Sequence, residues 1–89
     1  MPRQSETELK QQLDAAAQAV AVGKRYAHYK HPEQAYIVRG FVILEATDEV
    51  GVIYEAQYGE HISFVRTLNS WQDQVSVDGV LQSRFKRLD

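Results

Sequence analysis

Tyr26, His28 and Lys30 place a phenol ring, an imidazole and an ammonium within five positions of the chain. In an extended strand, alternate residues point to one side, so these three share a face while Ala27 and Tyr29 share the other. Such a face can stack a base and hold its phosphate, as exposed aromatic platforms on small β domains do. The plainer reading leaves Tyr26 half-buried, gives His28 a hydrogen bond to a neighbouring strand, and makes Lys30 a solvated guard of the edge; this is the first expectation. Arg66 is the other charge of interest. It follows Ile62, Phe64 and Val65 in an apolar stretch, so its guanidinium must reach solvent or meet a partner. An internal ion pair with Glu55 or Glu45 is the first expectation. The second is an anion-binding arginine beside His28 and Lys30, with Tyr54 as a stacking neighbour.

Other chemistry finds less support. His28, His31 and His61 raise the question of a metal site, but residues three apart on a strand face opposite ways and the chain has no cysteine. No metal site and no cofactor are expected. Ser63 and Ser70 lack any motif that would activate a nucleophile, and Asp48-Glu49 falls in a turn where solvent, not a pocket, is the expected environment. No catalytic residue is assigned.

Composition bounds the partners. A chain of 89 residues buries only about 60–65% of its unfolded surface, which allows one core and no cleft between lobes. Apolar residues at 44% and charged ones at 25% exclude global disorder. The net charge of −2 hides an uneven distribution. Lys24, Arg25, Lys30 and Arg39 outweigh Glu33 in the stretch 23–39, whereas Glu45, Asp48, Glu49, Glu55 and Glu60 stand without a base in 45–60. Arg84, Lys86 and Arg87 make a second basic spot. Duplex DNA is an unfavoured partner, because its affinity grows with the number of phosphates neutralised by a broad basic face. One phosphate or a short RNA strand is compatible. Met1–Lys10 is too polar for a signal peptide and Phe41–Leu44 too short to span a bilayer, so a cytoplasmic protein without a membrane partner is expected.

The positioning elements follow from pattern. Ser5 and Glu8 fit a capping box, and Leu9, Leu13, Ala16, Ala17 and Val20 then repeat at helical spacing until Gly23. From Arg25 the pattern is that of strands: Arg25–Lys30, a break at His31-Pro32-Glu33-Gln34, then Ala35–Thr47 with a bend at Gly40, Val50–Tyr58, and His61–Thr67. In the long second strand, Tyr36, Val38, Val42 and Leu44 form one set and Ile37, Phe41 and Ile43 the other. Leu68, Trp71 and Val75 suggest one helical turn, Asp78-Gly79 a tight hairpin, and Arg84–Leu88 a closing strand. The fold class is therefore mainly β with an N-terminal α-helix, the strands forming a small SH3-like antiparallel barrel or a strongly bent sheet. Residues 1–22 form a helical extension and 23–89 the small β-barrel domain. Val38, Val42, Val52, Ile53, Phe64 and Trp71 are expected to be buried.

Taken in order, Gly23, Tyr26, His28-Tyr29-Lys30, Tyr36, Val38, Gly40, Tyr54, Tyr58-Gly59, Val65-Arg66, Leu68, Trp71 and Arg84-Phe85 resemble a small bacterial family known as domain of unknown function 1653. The resemblance spans residues 23–88, with Thr67 where the family carries proline and a shorter loop around Asp48. It implies a fold more than an activity. Three functions are then open. A non-enzymatic binding module would meet a nucleotide, a short RNA or a protein partner through its aromatic and basic face. A structural domain would form a homodimer through the Leu9/Leu13/Val20 helix. An enzyme acting on a small anionic metabolite comes last.

Overall fold

The computed structural model describes residues 4–89, so the first three residues of the helical extension lie outside the described residues. Helix α1 spans Glu6–Ala19. Its capping box forms as the sequence requires: the Ser5 hydroxyl accepts from the Glu8 amide at 3.2 Å, and the Glu8 carboxylate accepts from the Ser5 amide at 3.4 Å. Val20 leaves the helical conformation, with φ −126° and ψ 127°, so the helix stops before the expected Val22. Ala16 and Val20 are buried, while Ala17 is exposed and Leu9 and Leu13 are half-covered. Small side chains along this stripe let the helix approach its own sheet closely, and it packs on the second and third strands.

Those strands are β1 (Arg25–His28), β2 (His31–Leu44), β3 (Glu49–Ala56), β4 (Ser63–Thr67) and β7 (Phe85–Arg87). They form one antiparallel sheet in the order β4-β3-β2-β1-β7. Between β4 and β7 the chain makes the short helix α2 (Leu68–Gln72) and a separate hairpin, β5 (Gln74–Val77) with β6 (Val80–Ser83). The expected barrel is not formed. Its closing strands would have to join β4 to β7, but β5 and β6 pair only with each other and leave the sheet open. The hairpin itself turns at Asp78-Gly79, with φ 51° and 79°, as a two-residue loop of this type demands.

Two irregularities correct the expected strand map. His31-Pro32-Glu33-Gln34 does not break the sheet; it belongs to β2, and the break is the turn at Tyr29-Lys30. The register with β1 slips between Ala27 and His28, so Pro32 occupies an irregular stretch where its missing N–H does no harm to the ladder. The second irregularity is a bulge at Arg39, between Val38 paired with Tyr54 and Gly40 paired with Ile53. An extra residue reverses the alternation beyond it. Phe41 therefore joins Tyr36 and Val38 on the core side, opposite Val52, and Val42 turns to the reverse face with Ile37 and Leu44.

The core gathers Val20, Tyr26, Val38, Val52, Tyr54, Trp71 and Phe85, with Tyr36, Phe41 and Leu68 packed against it. Trp71 lies flat on Phe85, centroids 3.8 Å apart and planes at 5°. Tyr26 and Tyr54 meet the indole edge-on at 5.3 and 5.1 Å. Of the expected core, Val38, Val52 and Trp71 are buried, whereas Val42 and Ile53 are half-covered and Phe64 is 41% exposed. Val42 is lost to the bulge, Ile53 lies on the reverse face across from Val65, and Phe64 stands on the edge strand.

Candidate functional site

Side chains directly opposite one another in an antiparallel pair lie on the same face. Tyr26 pairs with Tyr36, Val38 with Tyr54, Tyr54 with Phe64, Val52 with Arg66, and His28 with Phe85. The register thus sets His28, Tyr36, Tyr54, Phe64, Arg66 and Phe85 on the core side of the sheet, where one end of the aromatic cluster reaches solvent through Phe64. Tyr54 lies 5.7 Å from Phe64 and 5.4 Å from Tyr36, centroid to centroid.

Arg66 reaches from the edge strand β4 across this face. Its Nη1 donates to the Ser70 hydroxyl of α2 at 2.9 Å, its Nε makes a long 3.5 Å contact to the Tyr54 hydroxyl, and its guanidinium carbon stands 5.4 Å from the Phe85 ring centre. The expected ion pair with Glu55 or Glu45 does not form. Glu55 pairs with Ser63 and Ile37 on the reverse face and binds Arg39 at 3.0 Å, which holds its carboxyl below the usual range. Glu45 is an exposed turn residue. Among the described residues, Arg66 has no carboxylate partner.

His28 shares this positive environment. Burial lowers its pKa from the ordinary value, and Arg66, Arg84, Lys30 and His31 lower it further by their charge. Its Nδ1 accepts the Lys30 backbone N–H at 3.2 Å, which assigns the proton of the neutral ring to Nε2. Its ring leans on Tyr29 at 4.7 Å and meets Phe85 edge-on at 5.1 Å. Nearby, the Tyr36 and Tyr58 hydroxyls share a 2.6 Å hydrogen bond; burial first, and that bond second, push Tyr36 up to about 12.

The residues singled out in the sequence thus divide. His28, Tyr54 and Arg66 lie on one continuous face. Tyr26 lies on it too but deep in the core, 7% exposed, its hydroxyl accepting from the Ala21 amide at 2.9 Å. Lys30 belongs to the turn rather than to β1, and its Nζ lies 6.0 Å from the Tyr29 ring centre, close enough to act on His28 through charge. In the sequence, Arg84-Phe85 is a station of the family resemblance and the start of a basic closing strand. The pairing of Phe85 with His28 brings Phe85 to the face, while Arg84 acts on His28 through its charge, lies 3.9 Å from the Asp73 carboxylate, and keeps its Nε buried without a hydrogen-bond partner among the described residues. Only an expected pairing of the last strand with the first could have disclosed that.

Among the described residues, no three His, Asp or Glu side chains gather where one metal ion could be held, and no helix is long and apolar enough to cross a membrane. One hollow of about 370 Å³ lies between α1 and the β2–β3 turn, lined by Gln12, Asp48 and Leu68 among others. Another, of about 600 Å³, is lined by Ala27, His28, Tyr29, Pro32 and Lys86 with parts of β6. Arg66 lines neither.

Comparison with known proteins adds a family. Comparison with curated proteins gives no match. Among solved structures, the crystal structure of a protein belonging to DUF1653 from Bordetella bronchiseptica is similar, at 31% identity and a TM-score of 0.64 over 76% of this chain and 86% of that chain. Residues 24–87 match the family described as protein of unknown function (DUF1653). That match begins just beyond α1 and takes in His28, Tyr36, Tyr54, Arg66, Trp71 and Phe85, so the chain belongs to the DUF1653 family.

Proposed function

We propose that this chain is a non-enzymatic binding module whose aromatic and basic face takes a small phosphate-bearing ligand with a planar ring, such as a nucleotide or the end of a short single-stranded RNA. One observation carries the reading. Arg66 is held in place on an apolar sheet face by Ser70 and Tyr54, and among the described residues no carboxylate pairs with it. A guanidinium fixed in this way keeps donors for an anion, and its planar fork suits phosphate. Lys30 adds charge at one side, beside the His28 ring whose pKa that positive field lowers, and Phe64 offers an exposed ring at the other. Tyr26 and Tyr54 form the floor on which these groups stand.

The open character of the face favours a binding role over an enclosed reaction site. A ligand lying across Arg66 would keep one side in water, so its affinity depends on charge and falls as salt rises. The test compares common nucleotides, inorganic phosphate and short single-stranded RNA for binding to the parent and to a Lys30→Ala/Arg66→Ala double variant. Loss of binding in the variant supports the reading. Equal affinity in both proteins, or no anion bound by the parent, makes Arg66 a structural residue.

A further inference from the structure

We propose that β4 is the pairing edge of a two-fold dimer of this chain, with Val65 on the axis. β4 is bonded to β3 on one side only. The Ala56 amide donates to the Ile62 carbonyl at 2.9 Å, which fixes the alternation of the ladder: Phe64 and Arg66 spend their backbone groups on β3. Val65 and its alternate neighbours Ser63 and Thr67 therefore turn theirs toward the open edge. A row of unpaired backbone groups is a template for another strand, and sheets ordinarily blunt it with lysine, proline or a bulge. β4 has no lysine, proline or bulge, its one charge, Arg66, is turned onto the core side and tied to Ser70, and Ile62, Phe64 and Val65 are 56%, 41% and 51% exposed.

The occupant follows from charge. The opposite edge of the sheet, β7, is short and flanked by Arg84, Lys86 and Arg87. Joining β4 of one copy to β7 of the next would bring Arg66 against that basic spot, so a head-to-tail filament is opposed by like charges. Pairing β4 with itself removes the conflict. With Val65 opposite its own copy, Phe64 falls opposite the partner's Arg66 and Ser63 opposite the partner's Thr67. Each ring then lies beside the aliphatic stem of an arginine whose guanidinium stays with Ser70 and Tyr54 of its own subunit, and the two arginines are never directly opposed. On the reverse face, Val65 packs against Val65 of the partner subunit and extends the apolar surface of Val42 and Leu44 around Gly51.

Sedimentation equilibrium over a wide concentration range tests the pairing directly. The parent should rise from 10.2 kDa toward twice that mass as concentration increases. Val65→Lys, which sets two ammonium groups face to face on the axis, should remain at the monomer mass. Should that variant fail to fold, amide hydrogen exchange on the parent decides, because the Val65 and Thr67 amides become protected with concentration only if they enter the new ladder. A parent that stays monomeric throughout overturns the proposal. So does a Val65→Lys protein that dimerises like the parent, or a dimer whose protection maps to Leu9 and Leu13 of α1 instead.

Discussion

The Arg66 guanidinium donates to the Ser70 hydroxyl at 2.9 Å, tying the edge strand β4 to the short helix α2 that carries Trp71. α2 has a second tie through Thr67, whose hydroxyl accepts the Ser70 amide at 3.2 Å and caps the helix. Ser70→Ala removes only the first. Because the Arg66 side chain is half-covered rather than buried, the loss should be about 0.5–1.5 kcal/mol. Urea unfolding of parent and variant measures it, and an unchanged midpoint would mean that Arg66 is not held by Ser70 in solution.

Trp71→Ala should cost ~3–5 kcal/mol, the usual range for emptying a large aromatic site. The indole is 4% exposed, stacked on Phe85 and edged by Tyr26 and Tyr54. No neighbouring side chain fills that volume without breaking the stack. Thermal unfolding gives the check; a variant melting within a degree or two of the parent contradicts the assignment.

The helical extension contributes through Val20. Fully burying a valine is worth about 1.5–3 kcal/mol, so Val20→Ala should lose part of that and a chain beginning at Gly23 all of it, together with the bond from the Ala21 amide to Tyr26. The shortened chain should still fold, because the sheet, α2 and the aromatic stack remain. Circular dichroism on it is sufficient. Complete unfolding would make α1 an obligatory part of the core.

Much of this architecture is legible in the sequence, and the failures have physical causes. The capping box, the alternation of Val50, Val52, Tyr54 and Ala56, the helical turn bearing Trp71 and the Asp78-Gly79 hairpin all rest on local chemistry, which a sequence displays. The inward turn of Phe41 in place of Val42 depends on one extra residue at Arg39, and nothing in Val38-Arg39-Gly40 announces on which side of the glycine the bulge falls. Barrel closure failed for a related reason, since it depends on which edges meet at long range. For the site, Arg66 stood out as a charge in an apolar strand. Its partner was misjudged because Glu55 lies on the opposite face, a matter of register. Arg84 shows only as a basic residue in the sequence, because only the pairing of β7 with β1 brings it near His28.

His28 gives the domain a pH dependence whose sign is fixed. Its folded pKa lies below the ordinary 6.5, from burial first and then from Arg66, Arg84, Lys30 and His31. Below pH 6.5 the unfolded chain therefore binds a proton that the folded one resists, and stability falls as pH drops toward the folded value, levelling once both states are protonated. Above 6.5 this contribution is absent. His28→Gln should remove that part of the acid sensitivity, as read from unfolding midpoints on either side of the window. Midpoints with the same pH slope in parent and variant contradict it.

The most direct test of the anion site follows the same imidazole by NMR while phosphate or a nucleotide is added. An anion at Arg66 cancels part of the positive field, so the His28 pKa should rise toward its ordinary value and the Arg66 Nε–H and Phe64 ring signals should shift saturably. Both effects should weaken with salt and vanish in the Lys30→Ala/Arg66→Ala variant. A His28 titration that ignores every anion, or one that responds equally in the double variant, would contradict an anion site on this face.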